Sequence, residues 1–174
     1  MLKRKLSLRS RIFLFMIMLV VLASILIAAV TIVQYREQSQ DYHRQRLERK
    51  EAQLISSINY VLKETPWEVK TENLYLIFKD KIYEIANIHN VSFNLYDLEG
   101  NLIKMSKPTG ENTRIDSYLS AKILNQLNQS VNKRYVEKNK RLGGNYRSSY
   151  VMLTDNNAKP LGILNVPYFD DDSL

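Results

Sequence analysis

The sequence has no cysteine, and only five glycines and four prolines in 174 residues. Without thiols there is no disulfide framework, thiolate metal site, cysteine nucleophile or thioether lipid anchor. With so little glycine, neither the P-loop nor the dinucleotide-binding fingerprint occurs. The two histidines, His43 and His89, are far apart and share no motif, so they make no metal site. No constellation that would carry a reaction is present. No catalytic residue, cofactor or metal is expected. The length suits one ordinary domain with an appendage.

What the chain does have is a localised charge and a long apolar run. It carries 25 Lys and Arg against 18 Asp and Glu, a formal charge of +7. Five of the basic residues, Lys3, Arg4, Lys5, Arg9 and Arg11, fall in the first eleven positions, with no acid among them. The remainder is nearly balanced, so the basic pI does not point to nucleic acid. Ile12 to Val33 is then broken only by Ser24 and Thr31, without charge, glycine or proline. At about 1.5 Å per residue these 22 residues span about 33 Å, the thickness of a bilayer's hydrocarbon core. A cleaved signal peptide would have a shorter apolar region and a small-residue cleavage site, and Thr31-Ile32-Val33-Gln34-Tyr35 supplies none. The reading is therefore a basic cytoplasmic tail (1–11) and a transmembrane helix (12–33). By the positive-inside rule, residues 34–174 are expected outside the cytoplasm, in the periplasm, with the anchor in the inner membrane.

Nothing from Gln34 to Lys63 stops a helix. Residues 34–64 are expected to continue the span as one long helix, ending at Glu64-Thr65-Pro66 because proline disfavours helix before it. Leu47, Leu54, Ile58 and Val61, with Ile55 and Leu62 alongside, form a seam. It suits either packing on the chain's own domain or a parallel homodimer, and both readings stay open.

Residues 65–169 read as a compact α+β domain. Thr71-Glu72-Asn73 is expected to cap a helix to about His89, with Asn90 as its stop. Val91 to Tyr96 alternates as a strand, Asp97-Leu98-Glu99-Gly100-Asn101 turns, and Leu102 to Lys107 returns. After a polar loop, Pro108 to Arg114, Asp116 is expected to cap a helix to about Gln129, burying Leu119, Ile123, Leu124 and Leu127. Arg134 to Lys140, Tyr146 to Thr154 and Leu161 to Val166 complete five strands, with turns at Gly143-Gly144 and Asp155 to Lys159. Hairpin connections make the sheet antiparallel, with helices covering it. Residues 170–174 form a short acidic tail.

This order resembles the PAS-like Cache domain, with its long N-terminal helix rising from the membrane and its five-stranded antiparallel sheet. The words Asn145-Tyr146-Arg147-Ser148-Ser149-Tyr150 and Pro160-Leu161-Gly162-Ile163-Leu164-Asn165-Val166-Pro167-Tyr168-Phe169 look like the end of the periplasmic sensor in Bacteroidetes-type two-component histidine kinases. Leu6-Ser7-Leu8-Arg9-Ser10-Arg11-Ile12 is similar to the start of such proteins. The resemblance implies the sensor end of an ATP-dependent protein-histidine kinase, acting on a response regulator through a kinase core beyond a second membrane helix. These 174 residues hold no phospho-acceptor box and no ATP-lid motif. The stimulus would be a small molecule or a periplasmic protein. The alternatives are the sensor end of a chemoreceptor or cyclic-dinucleotide enzyme, and a bitopic membrane structural or assembly protein.

A small ligand in such a domain is cradled against one face of the sheet. Asn94, Tyr96, Arg147 and Tyr150, with Arg114 from the covering loop, are the candidates. Arg147 would clamp a carboxylate and Tyr150 would close over an apolar part. The alternative makes the tyrosines core aromatics and puts Arg147 at the surface. His43 is expected on a solvated helix face, and His89 at a helix end where its charge suits the dipole. Asp170, Asp171 and Asp172 read as a solvated tail. Arg44, Arg46, Arg49 and Lys50 suit lipid headgroups.

Overall fold

A computed structural model describes residues 8–107, 117–141 and 144–170 of the chain. It comprises two compact units, Met1–Gln45 and Arg46–Leu174. The first helix, α1 (Leu8–Glu64), supplies residues to both.

In the first unit every described side chain from Leu8 to Tyr35 is exposed, so the apolar run surrounds the whole helix instead of forming a stripe. Its two hydroxyls turn inward on the backbone. Ser24 Oγ donates to the Val20 carbonyl at 2.9 Å, and Thr31 Oγ1 to that of Ile27 at 2.8 Å. This leaves no polar side chain in the run seeking an outside partner. Leu8–Tyr35 is long and apolar enough to cross a membrane.

The helix ends at Glu64, two residues before Pro66, with Lys63 in its last turn where a cation suits the dipole. Leu47, Leu54, Ile58 and Leu62 are buried within the second unit. The seam is thus used by the chain's own core and is not an open dimer stripe.

The expected second helix is divided. A 3₁₀ turn (Thr71–Asn73) leads into a single turn of helix, α2 (Leu74–Ile77), and α3 (Lys81–His89) follows. Between them Lys79 N–H bonds the Leu76 carbonyl and Tyr83 N–H that of Asp80, so three-residue hydrogen bonding tightens the chain there. Neither Lys70 nor Asn73 caps through its side chain. Thr71 Oγ1 instead donates to the Leu161 carbonyl at 2.7 Å, so a tertiary partner takes the hydroxyl. Asn90 ends α3 in the left-handed conformation (φ 47°), as its amide side chain tolerates.

The strands are β1 (Asn94–Tyr96), β2 (Leu102–Met105), β3 (Arg134–Arg141), β4 (Gly144–Thr154) and β5 (Pro160–Asp170). They form one antiparallel sheet in the order β2-β1-β5-β4-β3. β1 starts at Asn94, not Val91, because Phe93 N–H turns to the Ser106 hydroxyl at 2.9 Å. Two of the expected turns, at Asp97 and Asp155, are closed by the aspartate side chain. Asp97 Oδ1 accepts from the Glu99 and Asn101 amides, and Asp155 Oδ1 from those of Asn157 and Lys159. Gly100 has φ 90°, which its lack of Cβ permits. The helix α4 (Ala121–Gln129) begins five residues after Asp116 and is capped by Ser120, whose hydroxyl accepts from Ile123 N–H. Asp116 itself, the loop before it and Gly143 lie outside the described residues.

The sheet separates two apolar clusters. One face meets α1, α2 and α3 through Phe93, Leu95, Leu153, Leu164 and Val166. The other meets α4 through Tyr96, Tyr150 and Ile163, packed with Leu119, Ile123 and Leu127. This is an α+β fold with helices on both faces of an antiparallel sheet.

Candidate functional site

Period-two alternation decides which candidates meet. On the α4 face, Asn94, Asn165, Tyr150 and Tyr135 stand opposite one another on β1, β5, β4 and β3, forming one row across four strands. Asn165 is its centre and is only 4% exposed. Its Nδ2 donates to Ser148 Oγ at 2.6 Å and to the Ser149 carbonyl at 3.1 Å, while its Oδ1 accepts from Asn94 Nδ2 at 2.9 Å. Tyr150 stacks on Tyr135 with ring centroids 6.3 Å apart. Tyr96 lies on the same face, beside Ile163.

The structure therefore brings Asn94, Tyr96 and Tyr150 together, all buried. It does not bring Arg147 to them. Arg147 alternates with Ser148 and Tyr150, in phase with Val151 and Leu153, and so belongs to the α1 side of the sheet. There it is buried, at 7% exposure, and not at the surface. Arg147 and Tyr150 are three positions apart on one strand and cannot close on a common ligand. Arg114 lies outside the described residues.

Sequence reasoning missed Asn165 and Tyr135. The signal for Asn165 was present: an amide at an inward position of the apolar run Leu161 to Val166. Nothing marked Tyr135 in a strand otherwise rich in charge. The row offers amides and hydroxyls but no carboxylate, imidazole or cation. Its central amide is bonded within the sheet, to Asn94, Ser148 and Ser149.

Both histidines make side-chain contacts. His89 ends α3, and its Nε2 is 2.7 Å from Ser57 Oγ of α1, tying the two helices. His43 is buried at 8% exposure, not solvated, with its ring edge-on to Tyr42 at 5.6 Å. Among the described residues no group of three or more His, Asp or Glu is placed to hold a metal ion.

Three further features lie outside the row. A polar cleft of about 220 Å³ is lined by Asn59, Leu62, Val69 and the turn Thr154 to Asn157. Lys104 places its ammonium over the rings of Tyr75 and Tyr83, at 4.9 and 5.3 Å from their centroids. On α1, burial and then the charge of Arg46 one turn earlier hold Lys50 below the ordinary lysine range.

Compared with models of known protein families and with curated protein sequences, the chain matches none.

Proposed function

We propose that this chain is the membrane-anchored, extracytoplasmic sensor region of a two-component histidine kinase, with a PAS-like Cache head. One observation carries the reading. A single uninterrupted helix, Leu8–Glu64, is apolar and exposed all round in its first half and buried along one stripe against a five-stranded antiparallel sheet in its second. The element suited to a bilayer and the element that packs on the sheet are thus the same helix. A change in how the sheet holds it has a covalent route to the lipid-facing segment. The five basic residues before the span orient the N-terminus to the cytoplasm and residues 34–174 to the far side.

The stimulus acts by favouring one of two packings of α1, and only a ligand that binds the two unequally shifts them. The buried polar row, with its neutral amides, suits an uncharged or weakly polar stimulus better than the carboxylate that an arginine clamp would select. A homodimer remains part of the proposal, through a face of α1 other than the buried stripe.

Two experiments test this. Alkaline phosphatase fused after Leu174 should be active and a cytoplasmic fluorescent reporter at the same point dark; the reverse pattern refutes the orientation. The gene beyond codon 174 should encode an apolar stretch of about 20 residues and then a kinase core. A different output domain there would transfer the head to that device.

A further inference from the structure

The buried side-chain polar atoms that lack a hydrogen-bond partner among the described residues are Glu51 Oε2, Arg134 Nη2 and Ser149 Oγ. All three belong to the α1 side of the sheet. Arg134 stands opposite Val151, and Ser149 two residues along β4 on the same face. Glu51 meets Arg134 through one contact, from Nε to Oε1 at 2.8 Å. A guanidinium and a carboxylate can make two parallel bonds, and here they make one in a site where Glu51 is only 6% exposed. Such a pair is poorly suited to stabilising the fold, since a buried charge is costly unless fully satisfied.

The second carboxylate is close by. Glu48 Oε1 lies 3.9 Å from Arg134 Nη1, in ion-pair range but beyond a hydrogen bond. Glu48 and Glu51 are three residues apart on one helix face, about 4.5 Å along its axis. Around them the buried stripe is apolar: Leu47 before, and Leu54, Ile58 and Leu62 after. Among them Glu51 is the buried carboxylate, and it lies where β3 presents Arg134.

We propose that Arg134 is a two-position latch for α1. In the arrangement seen Glu51 takes its hydrogen bond while Glu48 sits at the longer ion-pair distance, and in a second arrangement, in which this stretch of the helix has moved along or about its axis relative to β3, Glu48 takes the hydrogen bond instead. Two discrete partners for one guanidinium make the contact bistable and not continuously deformable. The latch deepens the proposed function, because it names the contact that separates the two packings. As a property of the second unit alone, it stands or falls independently of membrane orientation.

The absence of cysteine makes the test direct. Ser56→Cys on the exposed side of α1 and Lys138→Cys on β3 take two spin labels in the full chain, reconstituted in lipid nanodiscs. The interlabel distance distribution is read by pulsed dipolar spectroscopy. With Glu51→Gln, Arg134 passes to Glu48 and the distribution moves to a new position. With Glu48→Gln it stays where it was. With both substitutions it broadens. An unchanged distribution in Glu51→Gln overturns the latch, as does an equal shift in Glu48→Gln. If Glu51→Gln fails to fold, Glu51→Leu with Arg134→Met removes both charges together, and an unchanged distribution in that variant overturns it equally. A moved distribution alongside a cytoplasmic reporter signal at Leu174 would keep the latch and reject the sensor topology.

Discussion

At the scale of residues, this domain is fixed by a few polar and small side chains whose neighbours leave them no choice. Asn165 uses both ends of its amide. Asn165→Ala removes three hydrogen bonds and strands Asn94 and Ser148, so unfolding should become easier by about 1–3 kcal/mol. The readout is urea unfolding followed by the single tryptophan, Trp67. Gly162 is constrained by space. A Cβ there would lie 2.7 Å from the Tyr96 carbonyl oxygen and 3.0 Å from Leu74 Cδ1. Gly162→Ala should cost about 1–3 kcal/mol in the same measurement, since backbone cannot yield as a flexible side chain does. Lys50 tests the sign of an electrostatic effect. Its pKa is lowered in the folded chain, so its charge opposes folding at neutral pH, and that opposition disappears as pH rises through its folded value toward 10.5. Lys50→Gln should therefore be neutral or slightly stabilising at pH 7, and its difference from the parent should vanish at high pH.

At the scale of elements, the long helix was the most legible part of the sequence and the second helix the least. Between Ile12 and Thr65 there is no glycine or proline, and the observed α1 ends at Glu64. Local chemistry was enough there because nothing competes with it. The stretch Thr71 to His89 has equally good helical spacing, yet it breaks at Phe78–Asp80. Its would-be cap, Thr71, is taken by Leu161 of a strand ninety positions away. Spacing reports which residues are apolar, and it cannot report that a distant carbonyl will claim a hydroxyl. Ser120 likewise displaced Asp116 as the start of α4. Gln53→Pro tests the helix as an element. It is exposed and contacts nothing essential by side chain, but proline there removes a backbone bond and should cost about 3 kcal/mol or more. Circular dichroism and tryptophan-monitored unfolding would show it. Asn90→Gly, by contrast, should be neutral or slightly stabilising, because glycine adopts the φ of 47° without strain.

At the scale of the whole molecule, the exposed helix over Leu8–Tyr35 is long and apolar enough to cross a membrane, and the proposed anchor sets what fractionation should show. The chain should sediment with membranes and resist alkaline carbonate extraction. A variant lacking residues 8–35 should partition into the soluble fraction. Recovery of the intact chain in that fraction would remove the basis of the proposed anchor.

The sequence by itself determined the quantities that depend on neighbours along the chain. These are the apolar run and its flanking charge, the uninterrupted helix, the turns at Asp97 and Asp155, and the alternation that makes five antiparallel strands. Tertiary structure decided what depends on pairing across it. It set Arg147 behind the sheet and Tyr150 before it, placed Asn165 between Asn94 and Tyr150, and turned a possible dimer seam into the chain's own core. The physical reason is that a side chain's face follows from strand parity once the strand is placed, whereas its partner is set by the register of other strands, which no local spacing encodes.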